Sequence, residues 1–382
     1  MNRLLAPSEA YHAVLDWHTT FDVEVNAAAV LDPVQALQQL YRLRPALAST
    51  IVRTPKGFTF VPGTEPAVTS TRRGVRAQSP LSSFEVNLGP SGTINLSGQI
   101  HHALADVTCI LTVTDLLLAL CTTETAAADL AAEPLWPLAA ETAVTATSTA
   151  SDIAAQVRRR IGQLPAVALD AAQPVTLHLP APTVRMLDEV FVAAGTSLTA
   201  LICAVVAAQL HRSDDTGAVT AGIPVDCRAF GLAPERQMAQ IGNFSHGALV
   251  SIPRGPRSAH ESLRLSKALE EDLLGQLNTQ TPAHPFLDST RYLPEVNKPA
   301  DFVVSNARGA ARRFQHLRAA QVLVLLPAAS IPGLPMIAVN ENPATGAVNI
   351  TLVAHPVDPK IPEPQELIGA LAAALTALEE QP

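Results

Sequence analysis

Aromatic residues make up only 4% of this 382-residue chain, and charged residues only 16%. Hydrophobic residues reach 48%, so the chain can bury sizeable cores, but Ala, Val, Leu and Ile must fill them. No Lys/Arg run is denser than Arg158-Arg159-Arg160, and the net charge is -8. A nucleic-acid surface needs clustered cations, and this composition argues against one. The triple arginine reads as a solvated helix or linker, with a phosphate or carrier-protein contact as the alternative.

Cysteine is also sparse. Cys109, Cys121, Cys203 and Cys227 show no CxxC spacing, and three of them sit inside apolar stretches as small hydrophobes. That pattern suits a reducing cytoplasm and argues against a disulfide framework or a zinc site. Pro7 breaks the N-terminus early, and no long apolar core follows, so a secretory signal is not expected. The longest apolar runs, near Cys109–Cys121 and Leu198–Leu210, fall short of the ~20 residues that span a bilayer. No integral membrane segment is therefore expected. Several motifs are absent as well. Without GxGxxG or GxxxxGK[ST], a nucleotide fold has no support. No GxSxG elbow marks a serine hydrolase. His260-Glu261 lacks the second histidine of a zinc hydrolase, and no bound metal or cofactor is expected.

What the chain does have is an interleaving of strand and helix patterns, which makes it α/β. Asp32-Pro33 begins a helix with a cap and a first-turn proline, and Pro45 ends it. Ala48–Val52 and Gly57–Val61 read as a hairpin. Thr93–Ile100 alternates as a half-buried strand, and Val107–Cys121 is apolar enough for a buried helix. Proline, alanine, serine and threonine then dominate to Pro174, so residues 138–174 read as a linker between 1–137 and 175–382. Beyond it, Val175–Leu179, Ala218–Ile223, Gln321–Leu326 and Ala347–Ala354 read as strands. Thr183–Ala194, Leu198–Leu210, Ala259–Gln276 and Gln365–Leu378 read as helices, with Gly195-Thr196-Ser197 as a turn and cap.

Between the Thr93 strand and the Val107 helix lies His101-His102-Ala103-Leu104-Ala105-Asp106. Two histidines at a strand-to-helix corner, with a carboxylate four residues after the second, can present one imidazole to a cleft. An imidazole suits general-base work because its ordinary pKa of roughly 6.5 leaves it largely neutral near pH 7.

This segment resembles the HHxxxDG signature of the chloramphenicol-acetyltransferase-like superfamily. That group includes nonribosomal peptide condensation domains and bacterial polyketide-associated acyltransferases of the phthiocerol dimycocerosyl transferase type. Three later landmarks are similar in the same order: Pro224-Val225-Asp226-Cys227-Arg228, Gly242-Asn243 and Ser305-Asn306. The DFGWG motif of the plant acyltransferases is absent, which points to the bacterial branches.

The resemblance implies two chloramphenicol-acetyltransferase-like lobes with a tunnel between them. It implies acyl transfer from acyl-CoA or a phosphopantetheine-linked thioester directly to a hydroxyl, or less often to an amine. An acyl carrier protein and a small-molecule or lipid acceptor are the partners it suggests. A monomer is expected, since each chain would supply both faces of its tunnel.

By the same resemblance His102 is the base and His101 supports it. Asp106 would brace the loop through an arginine, with Arg228 as one candidate. Ser305 and Asn306 would lie near the tunnel, where Asn306 orients substrate. One position departs from the pattern: Val107 stands where the signature has glycine. A β-branched residue disfavours positive φ and adds bulk beside the base. A narrowed tunnel, a less usual chemistry, or a catalytically silent protein that binds a lipid or a carrier would each be a consequence.

Overall fold

The computed structural model describes residues 3–5, 9, 12, 13, 16–27, 31–55, 57–70, 74–89, 92–122, 174–210, 217–226, 245–255, 257–279, 300–328, 334–354 and 362–380. In chain order, β1 (Arg3–Leu4) and β2 (His18–Asn26) precede α1 (Pro33–Leu43). β3 (Thr50–Thr54), β4 (Gly57–Val61), β5 (Val68–Ser70), β6 (Gly74–Gln78), β7 (Ser82–Leu88) and β8 (Thr93–His101) lead to α2 (Val107–Thr122). The second half opens with β9 (Val175–Leu179), α3 (Ala181–Ala194) and α4 (Leu198–Gln209). There follow β10 (Ala218–Asp226), β11 (Ser245–Pro253), α5 (Ala259–Thr279) and β12 (Phe302–Asn306). β13 (Ala320–Pro327), β14 (Met336–Glu341), β15 (Val348–Val353) and α6 (Pro364–Glu379) close the chain.

Three sheets organise these elements: β1-β4-β3, then β13-β2-β8-β7-β6-β5, then β11-β10-β12-β14-β15-β9. The first six-stranded sheet is antiparallel throughout. In the second, β10, β12 and β14 run parallel to one another. Each of these two sheets has its own core. α1 and α2 cover the first, and α4, α5 and α6 pack against the second.

Local signals place the helices where the sequence predicts them. Asp32 caps α1 by accepting from Val34 N at 2.9 Å. Gly195 ends α3 at φ 66°, a left-handed angle that favours glycine, and Ser197 then caps α4. The expected hairpin forms as β3 and β4, but it starts at Thr50 because Pro45–Ala48 make a short 3-10 turn.

One segment departs from chain order. β13 was expected among the strands of 175–382, yet it pairs with β2 from Pro327 opposite Thr19 to Ala320 opposite Val25. Phe314, Leu317, Leu323 and Leu325 likewise lie in the first core. Asp115 on α2 anchors the approach by accepting from His316 N and Leu317 N at 2.7 and 2.9 Å. Residues 138–173, Arg158-Arg159-Arg160, Cys227, Arg228 and Gly242-Asn243 lie outside the described residues. Among the described residues, no single helix is long and apolar enough to cross a membrane.

Candidate active site

β8 delivers the histidine corner, and backbone hydrogen bonds hold it. His101 ends the strand directly opposite His18 of β2. Its N–H donates to Leu81 O, and its carbonyl accepts from Leu104 N and Ala105 N at 2.8 and 3.2 Å. His102 N donates to Trp17 O at 2.6 Å. The chain thus turns over three buried residues, Ala103, Leu104 and Ala105, before α2 begins.

The two histidines carry opposite tautomers. His102 Nδ1 lies 2.8 Å from the Ala105 carbonyl, which can only accept, so Nδ1 holds the proton and Nε2 the lone pair. His101 Nδ1 accepts from Ala103 N at 3.1 Å, which puts its proton on Nε2, 3.5 Å from Asp16 Oδ1. His101 is 2% exposed, whereas His102 is half-buried. Only the second ring combines a lone pair on the side away from its anchor with some exposure.

Burial keeps both rings neutral. It pushes the His101 pKa down to about 3, with His18 and His102 nearby adding to the effect. It also lowers that of His102, against the Ala105 carbonyl and the Asp106 charge, which pull it up. His12 is depressed as well, by burial first and by His102 and His101 next.

Each of these three rings binds its proton more weakly when folded than in the unfolded chain. The stability they confer is therefore full above pH ~6.5 and drains as pH falls below it, continuing for His101 to about 3. Between pH 7.5 and 5.5, above the carboxylate range, unfolding free energy is expected to drop by more than about 1 kcal/mol. Urea unfolding at the two pH values measures this, and a flat profile would show these rings charging freely in the fold.

Asp106 has a role at the start of α2, while Arg228, the candidate partner of its expected brace, lies outside the described residues. Asp106 is 3% exposed, and its Oδ1 accepts from Cys109 N at 2.9 Å, which makes it the cap of α2. Asp106→Ala is expected to cost about 0.5–2 kcal/mol of stability through the lost cap. Thermal unfolding checks it; an unchanged midpoint would remove the cap from the account. Val107 opens α2 with ordinary backbone. Among the described residues the non-glycine with positive φ is Asp16, at 49°. The conflict expected between a β-branched side chain and positive φ is therefore not realised at Val107.

The structure adds residues that no motif spacing marks. The His12 ring meets His102 edge-on at 4.2 Å, and Trp17 meets it at 5.6 Å. His18 lies 4.8 Å from His101. Strand pairing brings His18 and Trp17 to the corner. Only the β2–β8 register would have revealed them, and β2 was not among the expected strands.

Ser305 and Asn306 end β12, on the other six-stranded sheet. Asn306 Nδ2 donates to Thr199 Oγ1 at 2.8 Å, and its Oδ1 accepts from Arg308 N at 2.9 Å. Both ends of this amide thus hold the exit of β12 against α4. β10 runs parallel to β12 with Gly222 opposite Val303, so Asp226, Ser305 and Asn306 share one end of that sheet. Asp226 Oδ2 accepts from Thr108 Oγ1 at 2.6 Å, tying that end to the first turn of α2. Among the described residues no three His, Cys, Asp or Glu side chains form a metal-binding group.

No protein-family model and no curated protein sequence matches this chain. Solved structures do. The first condensation domain of the calcium-dependent antibiotic synthetase is 16% identical with TM-score 0.65, covering 100% of this chain and 96% of its own. Polyketide synthase associated protein 5 from Mycobacterium tuberculosis is 19% identical with TM-score 0.64, covering 100% and 98%. Trichothecene 15-O-acetyltransferase from Fusarium sporotrichioides is 12% identical with TM-score 0.69, covering 99% and 95%.

This is the condensation-domain fold. The two six-stranded sheets, each with its own helices and core, are the two-lobed plan expected from the histidine corner. Within the condensation-domain fold these sequence identities are low, 12% to 19%.

Proposed function

We propose that the protein is an acyltransferase that moves an acyl group from a thioester directly to a hydroxyl acceptor, with His102 as general base. The observation that carries this reading is the His102 tautomer: Nδ1–H is fixed on Ala105 O, and Nε2 keeps its lone pair. As the acceptor oxygen attacks the thioester carbon, Nε2 takes the hydroxyl proton and returns it to the departing thiolate. His101, buried and held by Ala103 N, positions the corner. Asp106 acts through the α2 cap and through its charge near His102. Val107, Ser305 and Asn306 line the approach to the acyl donor in this reading, and Arg228 belongs with them.

The names of the structural relatives support this chemistry, an O-acetyltransferase among them. The described cysteines are buried, and burial raises the Cys121 and Cys203 thiols to about 12, so neither suits a covalent acyl carrier. The donor is acyl-CoA or an acyl phosphopantetheine on a carrier protein. The acceptor is a small molecule or lipid, and an amine is the less favoured nucleophile. The alternative, a catalytically silent binder, rests on Val107: its backbone is ordinary, which leaves its bulk beside the base as the support for that reading.

The test offers the purified protein a panel of acyl-CoAs, short to long, and the same acyl groups on a phosphopantetheinylated carrier. Simple alcohols and amines serve as acceptors, and products are read by mass spectrometry. Ester formation with one donor class is the expected result. Tight donor binding with no ester or amide from any combination would favour the silent binder.

A further inference from the structure

Trp17 carries a polar atom that the steps above leave unused. The residue is 8% exposed, and its carbonyl accepts the His102 N–H. Its ring meets both His102 and His12 edge-on, each at 5.6 Å. Yet its indole Nε1–H is buried and makes no hydrogen bond among the described residues. Buried indole N–H groups ordinarily find a partner, and one left unmade costs stability. Backbone strain adjoins it: Asp16, just before, takes φ 49°, which non-glycine residues adopt rarely. Trp17 N is meanwhile tied to His12 O at 3.2 Å. The ring that carries this donor packs against the base, and a preorganised donor at the site is what a reacting oxygen needs.

We propose that Trp17 is a catalytic residue whose Nε1–H donates to the thioester carbonyl oxygen as it becomes negative. This rests on the reading of His102 as the base. The acceptor oxygen forms its bond to the acyl carbon while His102 Nε2 takes the hydroxyl proton. The carbonyl π pair moves onto oxygen, where the indole N–H meets it. The pair then returns to re-form the carbonyl, the C–S bond breaks, and the thiolate takes the proton from His102. The acyl oxygen is the fitting partner because it gains the charge, while the hydroxyl proton is already directed to Nε2.

The experiment compares wild type, Trp17→Phe and His102→Ala in acceptor-dependent transfer, with melting measured on each. Trp17→Phe is expected to lower kcat about 10²–10³-fold with KM little changed, as for loss of one oxyanion donor. Its melting temperature should stay level or rise, because an unpaired buried donor is removed. Benzothienylalanine at position 17, which swaps N–H for sulfur in the same ring shape, should reproduce the loss. Wild-type kcat in either Trp17 protein, or a loss that follows a fall in melting temperature, would overturn the donor assignment. If His102→Ala alone is inactive, the base reading stands without this donor. If His102→Ala is as active as wild type, both fall.

Discussion

His102→Ala is expected to lower kcat/KM for acyl transfer about 10²–10⁴-fold, the usual worth of a general base. The corner gives the reason. Nδ1 is committed to Ala105 O, so no rotation of the ring is needed to present Nε2. Burial lowers the His102 pKa, so the ring stays neutral to a lower pH than an ordinary imidazole. The acid limb of wild-type kcat/KM should accordingly fall below pH 6.5, not at it. Alanine removes the ring while leaving the His102 N–H on Trp17 O, so the corner's backbone bonds persist. Activity should therefore collapse while the protein still melts cooperatively. A variant that keeps wild-type kcat/KM would place the base elsewhere.

Phe21→Ala carries the largest expected effect on stability, about 3–5 kcal/mol. Phe21 is 1% exposed near the middle of β2, a strand paired on both edges, to β8 and to β13. It lies opposite Gly98, and its ring packs 5.8 Å from Phe84. Gly98 has a steric reason to stay glycine: an added Cβ would meet Ser83 O at 2.2 Å and the Phe21 ring at 2.8 Å. The aromatic ring thus covers a position where β8 cannot carry a side chain. Truncating it opens a cavity beneath the strand that ends in His101. Equilibrium urea unfolding, followed by circular dichroism and fluorescence together, measures the loss. A change below about 1 kcal/mol would mean that the sheet closes over the gap.

These residues also show what the sequence could disclose. Features set by near neighbours were legible: the Asp32-Pro33 start of α1, the β3–β4 hairpin, the Gly195 and Ser197 caps, and β8 followed by α2. The histidine corner was legible as a strand-to-helix turn because its residues are contiguous. β13 could be read as a strand but not placed, since its partner lies far off in the chain; Thr20 Oγ1 donates to Leu326 O across 306 positions. β2 carries a strand period, Phe21, Val23 and Val25 alternating with Asp22, Glu24 and Asn26, but its place beside β8 depends on distant residues. With β2 go Trp17 and His18, which meet the corner only through cross-strand pairing. β14 hides its period because it is buried on both faces and ends in Asn340 and Glu341. Asp106 had a legible cap signal, a carboxylate directly before an apolar helix, and its Oδ1 accepts from Cys109 N.

The most direct measurement is thiol release from an acyl donor by wild type and His102→Ala, each with and without an alcohol acceptor. The account predicts release that rises with acceptor in wild type and is lost in the variant. Release that ignores the acceptor, or that survives in His102→Ala, would contradict it.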